Sequence, residues 1–338
     1  MIGHYFQYSD YIRIPTLIPT KIVSMKCISL RSATLFLAVF ITSFSVIENR
    51  QSFADPSIEG RWDITIDEDG KMVPSWLEVQ HSGISTLVGY FVGTGGSARP
   101  ISKVNFSDGK MSFTIPPQWE TGSDLVVEGS LQGDKLAGTI VMPSGKKHNW
   151  TAVRAPSLIR EKAPVWGAPV KLFNGRNLEG WKAMGDNQWL AEGGVLRSPK
   201  SGANLVTEQK FNDFKLHIEF RCPKGSNSGV YLRGRYEVQI TDSKGLPPAS
   251  GQLGGLYGFI KPSENMAKNP GEWQSFDVTL VGRMLTLMVN GKTVITNQEI
   301  PGITGGAIDS NESEPGPLMI QGDHGPIEYR NIVITPAK

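Results

Sequence analysis

Gly225-Ser226-Asn227-Ser228-Gly229-Val230-Tyr231-Leu232-Arg233-Gly234-Arg235-Tyr236-Glu237-Val238-Gln239-Ile240 is the stretch on which the reading of this chain turns. At a period of two, Leu232, Tyr236, Val238 and Ile240 fall on one face and Arg233, Arg235, Glu237 and Gln239 on the other. That pattern predicts a strand over Val230 to Thr241 with a core side and a working side. A guanidinium, a carboxylate and a carboxamide in successive outward positions suit a polyhydroxylated ligand. The same pattern also reads as an ordinary solvated face carrying an Arg–Glu pair.

The surrounding residues extend the β reading. Phe214–Arg221, Ser275–Val281, Met284–Val289 and Ile327–Thr335 alternate in the same way, and Asn290-Gly291 between Val289 and Lys292 is a two-residue hairpin signal. Few stretches have helical periodicity, so residues 170–338 are expected to form a two-sheet β-sandwich. Upstream, residues 55–155 hold short strand candidates such as Gly60–Ile66, Ser75–Val79, Thr86–Val92 and Asp124–Leu131, punctuated by Asp69-Gly70 and Asp108-Gly109. A small antiparallel barrel or sandwich is expected there. Its Gly60-x-Trp62 opening resembles that of lipocalin-like barrels. Between the blocks, residues 156–169 include Pro156, Pro164 and Pro169, a proline density that stiffens a linker between separate domains. The fold class expected is therefore all-β.

The chain has 338 residues, with 34 Lys and Arg against 32 Asp and Glu, and no basic run stands out. Nucleic acid is excluded as an expected partner. From Met25 the sequence has Lys26 and Arg31, an apolar run from Ala33 to Ile47, then Ser52-Phe53-Ala54 before Asp55. This is the layout of a secretory signal with cleavage after Ala54, and residues 1–24 read as an upstream extension. The alternative is a membrane anchor, although an apolar run of about 15 residues is short for a span. An exported product, periplasmic or extracellular, with no stable membrane span after cleavage, is expected. Cys27 would leave with the signal, so Cys222 remains alone and no internal disulfide can form. Beside Pro223 at a strand end, Cys222 reads as a small packed side chain rather than a nucleophile.

Seven segments in order then give a resemblance. They are Leu172–Trp181, Asn227–Arg233, Tyr236–Asp242, Gly255-Leu256-Tyr257-Gly258, Gly271-Glu272-Trp273, Val289-Asn290-Gly291 and Tyr329-Arg330-Asn331-Ile332. The C-terminal half resembles the 3-keto-disaccharide hydrolase family, whose fold is the concanavalin A-like (jelly-roll) lectin/glucanase sandwich. Two places depart from the family pattern: Gln274 stands where Asn is common, and Gln321-Gly322-Asp323-His324-Gly325 replaces a shorter Gln-x-His pattern.

The resemblance implies a glycoside bearing a ketone at carbon 3, cleaved by elimination or net hydrolysis. The ketone acidifies the hydrogen on carbon 2, so a base can remove it while the group on carbon 1 leaves. Such chemistry needs a base, an electrostatic stabiliser where enolate charge develops, and a proton source for the leaving oxygen. Glu237 is the expected base or metal-binding carboxylate, Arg233 the stabiliser, His324 a third catalytic candidate and Gln239 a hydroxyl-orienting group. Asn227, Gln321, Tyr257, Trp273, His217, Glu219 and Arg330 complete the expected substrate-binding set. Core packing is an equal reading for Tyr257 and Trp273, and a structural hydrogen bond for His217. If the sheets pair as the family fold implies, His217, Glu219, His324 and Arg330 converge with Glu237 on one surface. A divalent metal ion is a possible cofactor, although no spacing matches a metal motif. Two further readings stay open: a lectin-like module without turnover, and two-carboxylate hydrolysis by Glu237 and Glu219. A proline-bounded Trp119 in Pro116-Pro117-Gln118-Trp119-Glu120 reads either as a sugar-stacking side chain or as a packing lid.

Overall fold

The computed structural model describes residues 57–119 and 121–338, and the expected extension and signal over residues 1–54 lie outside the described residues. Eight strands come first: β1 (Gly60–Glu68), β2 (Lys71–Ser82), β3 (Thr86–Val92), β4 (Arg99–Ser107), β5 (Lys110–Ile115), β6 (Leu125–Gln132), β7 (Lys135–Val141) and β8 (Lys147–Arg154). Each pairs antiparallel with the next, and β8 closes on β1 with Ile64 opposite Ala152. Of the two shapes open in the sequence, the structure is thus a barrel. Asp69 and Gly70, like Asp108 and Gly109, have the positive φ that tight hairpin turns demand. The barrel interior holds a packed cluster that includes Trp62, Phe91, Phe113 and Trp150.

Thirteen strands follow: β9 (Val170–Lys171), β10 (Trp181–Ala183), β11 (Leu190–Glu192), β12 (Val195–Ser198), β13 (Leu205–Phe211), β14 (Phe214–Arg221), β15 (Asn227–Leu232), β16 (Tyr236–Thr241), β17 (Gln274–Val281), β18 (Met284–Val289), β19 (Lys292–Glu299), β20 (Gly316–Ile320) and β21 (Ile327–Pro336). They form a five-stranded sheet in the order β10-β13-β20-β15-β16 and a larger sheet in the order β11-β12-β21-β14-β17-β18-β19, with β9 beside β21. Leu216, Ile218, Phe220, Phe276, Val278 and Tyr329 from the larger sheet meet Val230, Leu232, Tyr236, Val238 and Ile240 from the smaller one in a single core. Asn290 and Gly291, at φ 52° and 82°, make the β18–β19 turn that the sequence predicts. The result is the all-β sandwich expected of residues 170–338.

The sequence reading of one continuous strand from Val230 to Thr241 is corrected here. The chain reverses at Arg233-Gly234-Arg235: Arg233 and Gly234 have φ of 53° and 67°, and Arg235 N–H donates to Leu232 C=O at 3.1 Å. Glycine permits the left-handed turn that a strand interior would not use.

Barrel and sandwich lie in the same compact unit. Trp76 and Val92 of the barrel are buried in the sandwich's own core, and the Trp76 ring meets Phe259 edge-on at 5.2 Å. Residues of the proline-rich connection are also engaged: Arg160 pairs with Asp213 at 2.7 Å and Pro156 C=O accepts from Arg283 at 2.9 Å. Among the described residues no helix is long and apolar enough to cross a membrane.

Candidate active site

Strands β15, β16 and β20 are buried along their length, one face by the core and the other by loops and the barrel. On that second face, β15 and β16 set Tyr231 opposite Glu237, Gly229 opposite Gln239 and Asn227 opposite Thr241. Directly opposed residues of an antiparallel pair share a face. Because Gly229 has no side chain, the Glu237 carboxyl lies over it, and a Cβ there would sit 2.3 Å from Oε1. The segment after β16 runs beside it, with Tyr257 N–H donating to Glu237 C=O at 2.9 Å, which brings the Tyr257 ring to the same place.

These residues line a hollow of about 260 Å³ together with Asn204, Gln321, Asp323, His324, Gly305 and Gly306, and with Gly95, Gly96 and Trp119 from the barrel. Glu237 is 3% exposed. Burial is the largest influence on its acidity and pushes the carboxyl up to about 8, against the opposing pull of Tyr231 and His324. Tyr231 Oη lies 2.9 Å from Glu237 Oε2 and 3.0 Å from Gly305 C=O. A neutral Glu237 can donate to Tyr231 Oη while Tyr231 donates to the carbonyl, and an ionised Glu237 takes the phenol's single hydrogen instead. Burial drives the Tyr231 phenol well above its ordinary value, so it remains protonated throughout.

His324 Nδ1 is 2.5 Å from Asp323 Oδ1. That bond raises the imidazole's pKa, with the Glu237 carboxylate adding to it, and leaves Nε2 free. Gln239 Nε2 donates to Asn227 Oδ1 at 3.0 Å. The Gln239 and Gln321 amide oxygens are buried without a partner. Two acceptors without a protein partner in one hollow are open to donors from water or a ligand, since leaving each unpaired costs roughly 1–3 kcal/mol. Asn204 is oriented by accepting from Gly322 N–H at 2.8 Å through Oδ1.

Six expected site residues are therefore brought together: Glu237, Gln239, Asn227, Tyr257, Gln321 and His324. Five are placed elsewhere. Arg233, at the hairpin turn, points to the core side: its guanidinium stacks over Tyr236 and donates to the Tyr236 hydroxyl at 2.6 Å, which donates to Glu312 at 2.6 Å. It cannot reach a ligand at Glu237, because it is sealed at 0% exposure beyond the opposite face of the sheet. Arg235 is likewise committed, to Asp309 at 2.7 Å. His217, Glu219, Arg330 and Trp273 lie on or beside the outer face of the larger sheet, because β14 and β21 point their alternate residues away from the core. There His217 bonds Asp277 at 2.7 Å, Glu219 accepts from Arg330 at 2.6 Å and Asn331 at 2.7 Å, and Trp273 lies beneath the Arg330 guanidinium at 4.0 Å. Their expected convergence with Glu237 is not what the fold produces. Two-carboxylate catalysis by Glu237 and Glu219 has no geometry to use, since a sheet and its core lie between them.

Tyr231, Asp323 and Asn204 are site residues that the sequence reading did not single out. Tyr231 could have been found from the hairpin register alone, once Gly234 is taken as a turn. The Gln274 departure is structural: its Oε1 accepts from Lys268 N–H at 2.9 Å and Asn290 Nδ2 at 3.2 Å, away from the hollow. Cys222 is buried, and burial pushes its thiol up to about 11, which suits packing rather than nucleophilic attack. Among the described residues no three His, Cys, Asp or Glu side chains gather as a metal's ligand set. A divalent ion would draw on the Glu237 carboxylate and the unpartnered amide oxygens of Gln239 and Gln321, oxygen donors that a hard cation accepts.

Fold and hollow together define the class: a concanavalin A-like sandwich domain with a polar, acid- and imidazole-bearing site outside its smaller sheet. Residues 168–335 match the model of the 3-keto-alpha-glucoside-1,2-lyase-like domain, so the resemblance read from the motifs holds over the C-terminal half. The chain is 24% identical to a 3-keto-disaccharide hydrolase of Bacteroides thetaiotaomicron, a likeness covering 43% of this chain and 62% of that protein's length. Among solved structures, a "putative glycosyl hydrolase" from Parabacteroides distasonis is 30% identical over 49% of this chain and 82% of its own, with a TM-score of 0.43. Carbohydrate binding module CBM66 from Bacillus subtilis shares 12% identity over 46% of this chain and 95% of its own, with a TM-score of 0.33.

Proposed function

We propose that this protein is an exported carbohydrate-active enzyme that cleaves 3-keto-glycosides at the Glu237 hollow. The observation that carries the reading is the joint placement of a carboxyl held near pH 8, an Asp-supported imidazole and two unpartnered amide oxygens in one hollow of the matched domain. A base whose pKa lies near working pH combines useful basicity with a usable ionised fraction.

In this reading Glu237, ionised, takes the proton from carbon 2 of the keto sugar. The electron pair left behind becomes an enolate with the carbon 3 ketone and then the carbon 1–carbon 2 double bond as the carbon 1–oxygen bond breaks. His324, charged and held by Asp323, gives its Nε2 proton to the leaving oxygen. Addition of water across the double bond makes the overall change a hydrolysis. Tyr231 sets the direction of the Glu237 carboxyl, and Gln239, Gln321, Asn227 and Asn204 fix the sugar hydroxyls.

The test is incubation of the purified protein with a 3-keto-disaccharide and with its unoxidised parent. Cleavage of the first alone, lost in Glu237→Gln, is the expected result. Binding of both sugars with turnover of neither, with or without added divalent metal, would instead make the protein lectin-like.

A further inference from the structure

The barrel is not confined to a supporting role, because its loops form part of the hollow's wall. The β3–β4 connection, residues 93–98, lies against two sandwich glycines with no space for a side chain. A Cβ on Gly305 would meet Gly96 C=O at 2.2 Å, and one on Gly258 would meet Ala98 N at 2.7 Å. Gly305 is the residue whose carbonyl faces Tyr231, and Gly258 follows Tyr257. Gln118 locks a second barrel loop to the first, with Nε2 donating to Ser97 Oγ at 3.1 Å and Oε1 accepting from Ser97 N–H at 3.3 Å. This fixes Trp119 beside Gly96, where any side chain would strike the indole edge at 2.9 Å.

Trp119 is anchored along one edge and yet 69% exposed. It lines both the Glu237 hollow and an adjoining cleft of about 190 Å³ at the barrel's end, shared with Arg99, Pro117 and Met142. At about 260 Å³ the hollow falls below the ~300–1,000 Å³ typical of sites that enclose a drug-sized ligand. A hollow of this size has room for one sugar ring, and a second ring joined to it meets the rim, where the open indole offers an apolar face to sugar C–H groups.

Resting on the functional reading above, we propose that Trp119 is the stacking platform for the second sugar ring, so that the barrel makes the site selective for disaccharides over simple glycosides. Contact of this kind through an aromatic face is worth roughly tenfold in binding.

The test compares kcat/KM on a 3-keto-disaccharide and on methyl 3-keto-glucoside for wild type, Trp119→Ala and Trp119→Phe. The expected outcome is a disaccharide preference that falls about tenfold in Trp119→Ala, mainly through KM, and survives for the most part in Trp119→Phe. An unchanged preference in Trp119→Ala overturns the proposal. If the wild type cleaves neither substrate, the functional reading fails by itself. Calorimetric affinities for the unoxidised disaccharide and methyl glucoside then decide the platform: equal discrimination in wild type and Trp119→Ala overturns it, and loss of discrimination upholds it.

Discussion

Tyr231 and Glu237 sit directly opposite one another across the β15–β16 hairpin, phenol oxygen 2.9 Å from carboxyl oxygen, both shut away from solvent. The phenol opposes the rise in pKa that burial imposes on the acid. Tyr231→Phe should therefore push Glu237 higher still. The expected outcome is about a tenfold loss of kcat/KM at pH 7, recovered in part at higher pH, because one pKa unit corresponds to a factor of ten in the ionised fraction. Glu237→Gln removes the base itself and should cost ~10²–10⁴-fold at every pH. A Tyr231→Phe profile that superimposes on wild type would remove the phenol from the mechanism.

The pH dependence follows from two groups with opposite requirements. Glu237 must be ionised, so kcat/KM is expected to climb as pH rises through about 8. His324 must be charged, and its pKa, raised by Asp323 first, marks the descending limb. The two interact, so the limbs belong to the pair. His324→Ala should abolish the descending limb and Asp323→Asn should move it to lower pH. Stability carries the converse signature. A carboxyl raised in the fold above its unfolded value contributes stability below about pH 4.5 that is lost as pH rises through about 8. Wild type should thus lose Tm relative to Glu237→Gln between pH 5 and 9, by an amount equivalent to at most ~4 kcal/mol, as thermal melts across that range will show.

Gly229 tests positioning apart from chemistry. It sits opposite Gln239 and beneath the Glu237 carboxyl, and an alanine methyl would lie 2.3 Å from Oε1. The carboxyl must then swing away from Tyr231. A displacement of about 1 Å can cost ~10²-fold in rate. Gly229→Ala is expected to fold and to lose turnover to about that extent, with circular dichroism and steady-state kinetics as the checks.

How much of this was readable from sequence differs by element. Strands with strict alternation, such as Phe214–Arg221, gave their inward and outward sets correctly, because one buried face enforces the period. Glu237 and Gln239 were placed on a working face for the same reason. Alternation carried through Gly234 puts Arg233 on the wrong face, because glycine within a strand pattern signals a turn or bulge. The outer-face residues His217, Glu219 and Arg330 carry the polar types of an active site and the correct parity. Parity alone does not say which of two sheets meets the ligand. Trp119 needed three dimensions as well, since only packing against Gly96 brings a barrel loop to a sandwich pocket.

That distinction gives a negative control. His217→Ala and Glu219→Gln alter a hydrogen-bonded cluster on the far side of the sandwich, where His217 is 41% exposed as a side chain. Exposed ion pairs contribute about 0–1 kcal/mol. Both variants should keep kcat/KM within about twofold of wild type, as parallel assays would show. A loss as large as that of Glu237→Gln would relocate the site.

The junction between barrel and sandwich supplies the last prediction. Trp76 leaves a barrel strand yet is fully buried in the sandwich core, with Gly302 so close that a Cβ there would meet the indole nitrogen at 2.1 Å. Below it, Asp63 of the barrel is buried beside Glu312, and burial followed by the Glu312 charge raises Asp63 far above the usual carboxylate range. Arg283 pairs with Glu312 and offsets that crowding. Trp76→Ala opens a cavity in a shared core and should cost ~3–5 kcal/mol. Because the two bodies share that core, the loss should appear as a lower midpoint of one cooperative transition rather than early release of the barrel alone. It should also reduce turnover at a temperature where the variant is still folded, since the wall at Gly95, Gly96 and Trp119 depends on the barrel's seat. Two separated transitions in wild-type calorimetry, or a Trp76→Ala protein with normal activity, would show that the barrel and the site act independently.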